Sequence, residues 1–168
     1  MIFGLIVSGG FIGRISTSLA SFINCTTSGM VTSGNTSADF IGYCISSNIT
    51  FDTINSSSII NATYYVAGLI GYAISTKVVD SNSVNSNQGL QGIFGASILA
   101  FGATSINLTI TNATSNATFD LLQHHWGMIG QFHNSNGSYN SIDFNGTMAT
   151  QKTYYNCITN LINNSFAY

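Results

Sequence analysis

A four-residue motif recurs along this chain and limits the folds that it can adopt. Each copy has a small or polar residue, two bulky apolar residues and a closing glycine. The closing glycines are separated by 29, 29, 24 and 35 residues, a mean near 29. Repetition at such a period is typical of solenoids, in which each repeat is one structural unit. The copies are Gly10–Gly13, Asp39–Gly42, Gly68–Gly71, Gly92–Gly95 and Gly127–Gly130.

Short alternating segments after the motifs predict β-strands. In Ile49–Asp52, for example, apolar and polar residues alternate as on a half-buried strand. One repeat cannot bury its apolar face, but stacked repeats pair at a spacing of about 4.8 Å and form a continuous core. The absence of proline agrees, since inner strands must donate every ladder N–H. We therefore predict one all-β domain over residues 1–168, a parallel β-solenoid (β-helix) with about five to six irregular rungs and glycines at its corners. A β-sandwich is the alternative.

The composition supports an all-β fold and excludes some partners. Only 5% of the residues are charged, against about a quarter in ordinary domains. Good helix formers are scarce, whereas β-branched residues, aromatic residues and glycine are abundant. Three cations (Arg14, Lys77 and Lys152) cannot form a basic patch, which excludes a nucleic-acid partner. No apolar stretch approaches the roughly 20 residues of a membrane span, so we expect no membrane insertion.

Acceptor sites for N-glycosylation are unusually dense. The pattern Asn-x-Ser/Thr (a sequon) occurs at 11 of the 19 asparagines, whereas random placement would give about 4 to 5. The alternative interpretation is that a chain rich in Asn, Ser and Thr forms sequons by accident. Covalent N-glycans would supply the hydration that so few charges do not, and would indicate a secreted protein. The acceptors are Asn24, Asn35, Asn48, Asn55, Asn61, Asn107, Asn112, Asn116, Asn136, Asn145 and Asn163.

The repeats resemble the GLUG-type repeat of bacterial and protist surface proteins. That repeat has a Gly-Leu-bulky-Gly core, then a turn and a short strand that ends in an Asn-Cys or similar pair. Gly68–Gly71 is the most similar copy, and Ile23-Asn24-Cys25 is similar to the downstream element. Asp39 departs from the pattern, since it replaces the first glycine. The resemblance implies a secreted or surface-attached solenoid with an adhesive or structural role and without catalytic residues.

Two aspartates bear on an enzymatic function. Asp52 lies ten residues after Gly42 and Asp80 nine after Gly71, so rungs in register would bring the carboxylates to about 5 Å. Paired carboxylates at that distance suit attack on a glycosidic bond. The competing interpretation is that each aspartate ends a strand and caps a turn. We expect no catalytic residues and no cofactor, and keep a polysaccharide-active β-helix enzyme as the second alternative.

The histidines lie near the longest repeat. A zinc site needs three or four converging ligands, and the adjacent residues His124 and His125 would point to opposite faces of a strand. We therefore expect no metal site from these residues and His133. The 35-residue spacing predicts a loop insertion here. Trp126 with His125 would form a sugar-stacking platform or pack beneath the insertion.

Aromatic residues follow the repeat in part. Tyr43 and Tyr72 each come directly after a closing glycine, and tyrosine pairs occur at Tyr64-Tyr65 and Tyr154-Tyr155. Stacked aromatic ladders inside the solenoid are one interpretation, and a carbohydrate-binding face is the other.

The three cysteines give an odd count. Cys25 and Cys44 fall in adjacent rungs and would form a disulfide if their Cα atoms come within about 7 Å. Otherwise they are two buried thiols that fill core space. Cys157 would then remain for packing or an intermolecular link.

The two ends of the chain lack the polar residues that normally cap a solenoid. Met1–Val7 is apolar, and the chain finishes with Ser165–Tyr168. Bare end rungs expose strand edges that pair with other chains. This predicts either a piece of a longer array or subunits that self-associate end to end. We expect a structural, N-glycosylated extracellular protein of a cell-surface filament or stalk, with a carbohydrate-binding adhesin module as the alternative.

Overall fold

The computed structural model describes residues 2–4, 6–85, 89–148, 154–155, 161–162 and 165–167. These residues form 25 β-strands and no helix, so none of them belongs to a helix that could cross a membrane. All strand pairs are parallel, and an inner strand such as β13 (Ile70–Ile74) pairs with the strand one turn earlier and the strand one turn later along the chain. The parallel β-solenoid expected from the sequence is confirmed. The alternative of an antiparallel sandwich is wrong.

The strands form three sheets that run along the solenoid. Sheet A contains β1 (Ile2–Gly4), β2 (Val7–Gly9), β6 (Met30–Ser33), β7 (Thr36–Ala38), β11 (Ile59–Ala62), β12 (Tyr65–Ala67), β16 (Gly89–Ala96), β19 (Thr118–Trp126), β22 (Thr147–Met148) and β23 (Tyr154–Tyr155). Sheet B contains β3 (Ile12–Ser16), β8 (Ile41–Ile45), β13 (Ile70–Ile74), β17 (Leu99–Gly102), β20 (Ile129–His133) and β24 (Leu161–Ile162). Sheet C contains β4 (Leu19–Ile23), β5 (Thr26–Thr27), β9 (Asn48–Asp52), β10 (Asn55–Ser56), β14 (Lys77–Ser81), β15 (Val84–Asn85), β18 (Asn107–Ser115), β21 (Asn136–Phe144) and β25 (Ser165–Ala167).

The chain completes about four turns, slightly fewer than the five to six rungs expected. The starts of five successive sheet B strands mark these turns, and partial turns lie on either side. Each start pairs with the next, so the register is constant along the axis. The starts are Ile12, Ile41, Ile70, Leu99 and Ile129.

One motif copy assigned from the sequence is out of register. Gly95 pairs with Val66 on sheet A, whereas Ala100 on sheet B continues the column of closing glycines because its neighbours pair with those of Gly71. The fourth copy is therefore Ser97–Ala100, and the spacings become 29, 29, 29 and 30. The other members of the column are Gly13, Gly42, Gly71 and Gly130.

The loop insertion predicted near the histidines is also wrong. Residues 124–126 belong to β19, in which His124 pairs with Phe94 and His125 with Gly95. A register shift between Gly92 and Phe94 adds one residue to β19, as a β-bulge does. The apparent long repeat came from the misplaced motif.

Two corners of each turn use residues other than glycine. A left-handed residue recurs at each of these corners, although this conformation is uncommon outside glycine and asparagine. Gly29 is the only described glycine with a positive φ, so the expectation of left-handed glycines at the corners is wrong, whereas the close backbone approach that glycine permits is present at Gly71. The first column is Thr17, Ser46, Ser75, Ser105 and Asn134, and the second is Asn24, Thr53, Asn82, Asn112 and Ser141.

Hydroxyl groups stabilise the first of these corners. The residue after the left-handed position is Ser47 in one turn and Thr76 in the next. Each side chain donates a hydrogen bond to the carbonyl two residues earlier, at 2.7 Å and 2.8 Å. Ser18 and Ser135 make the same bond in their turns. Such local hydrogen bonds from a side chain to the nearby backbone stabilise turns.

The motif glycines permit close packing instead. A Cβ on Gly71 would lie 2.5 Å from Thr36 Cγ2 and 2.8 Å from the Gly42 carbonyl oxygen. Sheet B therefore approaches β7 too closely for any side chain at this position. Ala38, Ala67 and Ala100 form the small apolar cluster beside it.

Two larger apolar clusters fill the interior. The first lies between sheets B and C and contains Phe40 and Phe51, both fully buried. Within it, Phe22 stacks on Phe51 with ring centroids 5.2 Å apart, so the interior aromatic stacking considered from the sequence is present. The second cluster is built by sheet A around Ile60, Leu90 and Phe119.

A buried polar group accompanies these clusters. Asp39 is 1% exposed and accepts hydrogen bonds from Thr27 and Ser56, which reach it from sheet C. Two turns further along the axis, the Oγ atoms of Ser97 and Ser115 lie 2.6 Å apart. Asp39 thus satisfies buried hydroxyls across the interior, which explains why it can replace the glycine of the motif.

Candidate functional site

The sequon asparagines lie mostly on the surface. Of the ten sequon asparagines that the structure describes, nine are exposed. Asn35 is half-buried. The Ser37 hydroxyl of its sequon is buried and lies 2.9 Å from both Ser33 Oγ and the Asn61 carbonyl oxygen, within hydrogen-bonding distance of each. Asn163 lies outside the described residues. The geometry therefore leaves nine asparagines accessible to a glycan.

Strand alternation contributes to the high number of sequons. Asn48 and Thr50 both point outward, and Ile49 between them is buried. Wherever a strand carries Asn and then Ser or Thr at successive outward positions, it forms a sequon. The excess over random placement thus has a structural cause. The buried middle residues are Ile49, Ser56, Ala62, Leu108, Ala113, Ala117 and Gly137.

The sequons are not spread evenly around the solenoid. Those in described residues lie on sheets A and C or in the turns beside them, and none lies on a sheet B strand. Sheet B instead carries an aromatic stripe together with neighbouring rings of sheet A. The stripe consists of the partly exposed residues Tyr43, Tyr65, Tyr72, Phe94 and Phe101.

The rings of the aromatic stripe cover each other. Tyr43 stacks on Tyr72 with centroids 4.9 Å apart and planes 9° apart, and Tyr72 stacks on Phe101 at 4.8 Å. The Arg14 guanidinium lies over the Tyr43 ring, 5.6 Å from its centroid. Burial raises the pKa of Tyr72, and the neighbouring Tyr43 and Tyr65 raise it further. The phenol of Tyr72 therefore stays protonated. Because the rings cover each other, mainly ring edges are left for other molecules.

Asp52 and Asp80 do not form the carboxylate pair considered from the sequence. Asp52 pairs with Ser81, whereas Asp80 pairs with Phe51, so the two aspartates are one residue out of register. Adjacent strand positions face opposite sides. Asp80 is fully buried, and Asp52 is partly exposed and accepts a hydrogen bond from Asn82 at 3.2 Å. This geometry does not hold a sugar between two carboxylates.

Asp80 occupies an interior column otherwise filled by apolar groups. Its strand neighbours are Phe51 and Ile110. One carboxyl oxygen, Oδ1, accepts a hydrogen bond from Ser83, and Oδ2 has no partner among the described residues. Burial raises the pKa of Asp80 to about 7, with a further increase from Asp52 that the Ser83 hydrogen bond opposes.

The two described cysteines are free thiols, so the candidate disulfide is not formed. Cys44 lies on sheet B, where it pairs with Ile15 and Ala73. Cys25 follows β4 on sheet C, and its Sγ contacts the Ile23 carbonyl oxygen at 3.4 Å. Burial raises the pKa of Cys44 to about 12, which makes it an unreactive core thiol. Cys157 lies outside the described residues.

No group of three or more potential metal ligands occurs among the described residues. The His133 ring lies 5.5 Å from that of Phe101, at one end of the aromatic stripe. The side chains of His124, His125 and Trp126 lie outside the described part of the structure, as do those of Tyr154 and Tyr155.

Exposed apolar side chains gather at the edge formed by the first turn. Among the described residues, each of β1 to β5 pairs on one side only. Ten large apolar side chains are exposed in the described part of the chain, and six of them fall within residues 2–30. Ile2, Phe11 and Met30 line a cavity of about 310 Å³ that also has Asp39 in its lining. The six are Ile2, Ile6, Phe11, Leu19, Ile23 and Met30.

A groove of about 420 Å³ lies on the side of the solenoid. Asn61, Gln91 and Asp120 line it from successive strands of sheet A, and Leu122 borders it. Its single carboxylate and amides can form hydrogen bonds.

Comparison with protein-family models, curated proteins and solved structures found no match. The fold and surfaces define a class, a parallel β-solenoid with a sparsely charged, amide- and hydroxyl-rich surface. The resemblance to GLUG-type repeats rests on the motif residues alone.

Proposed function

We propose that this protein is a structural, N-glycosylated subunit of an extracellular filament or stalk, assembled end to end. The observation that carries the proposal is the apolar edge of the first turn. Among the described residues its strands pair on one side only, and its side chains include Phe11, which is 52% exposed although Phe40, its stacking partner in the next turn, is fully buried. A parallel strand edge of this kind forms a template for another chain.

The repeat itself makes the edge suited to a second copy of this chain. Every turn stacks on the next through the same columns, as Ile12 on Ile41 and Ile41 on Ile70. A turn from another molecule would continue these columns with the same chemistry. Such a contact joins two different surfaces and does not close on itself, so it produces a filament.

The glycan part of the proposal is supported by exposure. The nine exposed sequon asparagines lie along the sides, on sheets A and C and their turns. Glycans there would hydrate a surface with few charges and hinder association between sides, while the strand edges stay free. Attachment in the secretory pathway would place the protein outside the cell.

Two matched lysine substitutions test the assembly. Phe11 on the edge is 52% exposed, whereas Phe40, its stacking partner in the next turn, is fully buried. Leu122 on the side is 62% exposed. We expect wild type and Leu122→Lys to form polymers in negative-stain images and in sedimentation velocity. Phe11→Lys should remain monomeric, since stacking would bury its charge. A wild type that is monomeric at every concentration contradicts the proposal, and equal loss in both variants indicates unspecific association.

The glycan claim has a separate test. The protein secreted by eukaryotic cells should lose mass on enzymatic removal of N-glycans. The asparagines from which glycans are removed should be among the nine exposed ones. An unchanged mass contradicts glycosylation and leaves the assembly test unaffected.

A carbohydrate-binding adhesin module is the second candidate function. The aromatic stripe favours it, because Tyr43, Tyr72 and Phe101 of the stripe lie on sheet B, whose strands carry no sequon among the described residues. Binding to a glycan array that is lost in Phe101→Ala, with polymers unchanged, would support this function. Absence of binding to any glycan would contradict it.

A further inference from the structure

The Tyr43–Tyr72 pair lies where two turns meet on the side of the solenoid. The two residues are direct partners in β8 and β13, although 29 residues separate them in the chain. Their rings are nearly parallel, with an angle of 9° between planes and a distance of 4.9 Å between centroids. Both side chains are partly exposed, so a soluble oxidant can reach them.

We propose that Tyr43 and Tyr72 are a site of oxidative cross-linking, in which a dityrosine bond joins two successive turns. The oxidant is of the peroxidase class, with hydrogen peroxide as the electron acceptor. Each phenol loses one electron and one proton, and the two ring radicals couple between carbons ortho to the hydroxyl groups. The ortho hydrogens move to the phenolic oxygens, which restores both aromatic rings, while one hydrogen peroxide is reduced to two waters.

The surroundings restrict the coupling to this pair. On the far side of Tyr43 lies the Arg14 guanidinium, and on the far side of Tyr72 lies Phe101, neither of which supplies a phenol. Tyr65 also contacts Tyr72, but in an edge-on arrangement with planes 69° apart and centroids 5.9 Å apart. The stacked pair holds two phenols next to each other at the spacing of adjacent strands. The two radicals therefore form already in contact and need no diffusion before they couple.

The bond would act as a staple across one turn. It closes a loop of 29 residues between two strands that are already neighbours. A cross-link of this kind removes freedom from the unfolded chain, as a disulfide does. The sequence offers no disulfide between these turns, since the described cysteines are free.

The test is oxidation of the purified full-length chain at low concentration by peroxidase and hydrogen peroxide, with free thiols alkylated first. We expect dityrosine fluorescence, a monomeric mass lower by two hydrogens, and a higher urea midpoint. Cleavage before Asp52 separates Tyr43 from Tyr72, so a linked peptide pair shows a bond from Tyr43 to the segment 52–79, and fragmentation should locate it at Tyr72. A Tyr65–Tyr72 bond stays within one peptide.

Matched variants give the control. Tyr43→Phe and Tyr72→Phe should keep the circular dichroism spectrum and lose most of the fluorescence. Tyr64→Phe should keep both, because Tyr64 is more exposed and lies outside the stack. Cross-links between molecules, or links spread over all exposed tyrosines including Tyr64, would overturn the proposal. So would fluorescence that persists in Tyr72→Phe, or its absence from folded wild type.

Discussion

The buried carboxyl of Asp80 should make the stability of this solenoid depend on pH. In the folded protein its pKa is about 7, against an ordinary value of 3.8. A group whose pKa is raised on folding binds its proton more tightly in the folded state. The contribution of Asp80 to the free energy of unfolding is therefore most favourable below pH 3.8 and decreases between pH 3.8 and 7. Above pH 7 the ionised side chain lowers this free energy by its full amount.

The size of the effect follows from the two pKa values. They differ by about 3 pH units, and each unit corresponds to about 1.4 kcal/mol, so ionised Asp80 should lower the free energy of unfolding by about 4 kcal/mol. The substitution Asp80→Asn keeps the shape and the acceptor for Ser83, and it removes the charge. We expect it to stabilise the protein by up to about 4 kcal/mol at pH 8 and to change little at pH 4.

Urea denaturation followed by circular dichroism at pH 4, 6 and 8 measures this difference. Asp143→Asn is the control, because Asp143 is exposed and its main described contact is with the nearby Asn145. The change that Asp143→Asn causes at each pH is subtracted as the effect of removing one surface carboxylate. If the profiles of wild type and Asp80→Asn are parallel from pH 4 to 8, then folding does not raise the pKa of Asp80 and the reasoning fails.

Three further predictions concern glycan crowding, close packing and the core. Asn107 pairs directly with Asn136 on the next strand, so two glycans would crowd each other, and Asn136→Gln should raise the occupancy of Asn107 in glycopeptide mass spectrometry. Unchanged occupancy would show that the two sites are independent. Gly71→Ala should lower the free energy of unfolding by about 1–3 kcal/mol, because its Cβ would overlap backbone. Gly89→Ala, with its nearest neighbour at 3.7 Å, should stay within about 0.5 kcal/mol of wild type, and equal values would contradict the packing argument. Phe51→Ala should cost about 3–5 kcal/mol in urea denaturation, since it empties a fully buried site, and a loss below 1 kcal/mol would place Phe51 outside the core.

The class of fold could be predicted because it depends on period and alternation. The register could not, because a small residue, two bulky residues and a small residue also occur at Gly92–Gly95, and only pairing across turns distinguishes that segment from Ser97–Ala100. The correct register places Phe101 after Ala100, as Tyr72 follows Gly71. With it, the aromatic stripe would have been visible in the sequence.

The buried aspartates and the corners were missed for different reasons. Val78 and Asp80 are two residues apart on one strand, so alternation alone puts Asp80 on the buried face. Its spacing from Asp52 suggested a pair because the one-residue offset between β9 and β14 was not considered. The corners were assigned to glycine from general conformational preference, but Thr17 and Thr53 adopt positive φ values despite their branched side chains. That strain is offset by the ladder on either side and cannot be inferred locally.

The constant register has a consequence for synthesis on the ribosome. Each new turn pairs with a segment 29 or 30 residues earlier. The loop that closes therefore has nearly the same length at every step, and its length-dependent entropic cost in free energy is about 3 kcal/mol each time. At about 5 to 20 residues per second, a turn emerges every few seconds. Each new segment can therefore pair with a turn that has already left the ribosome. Growth can proceed from the N-terminus without contacts that await the end of the chain.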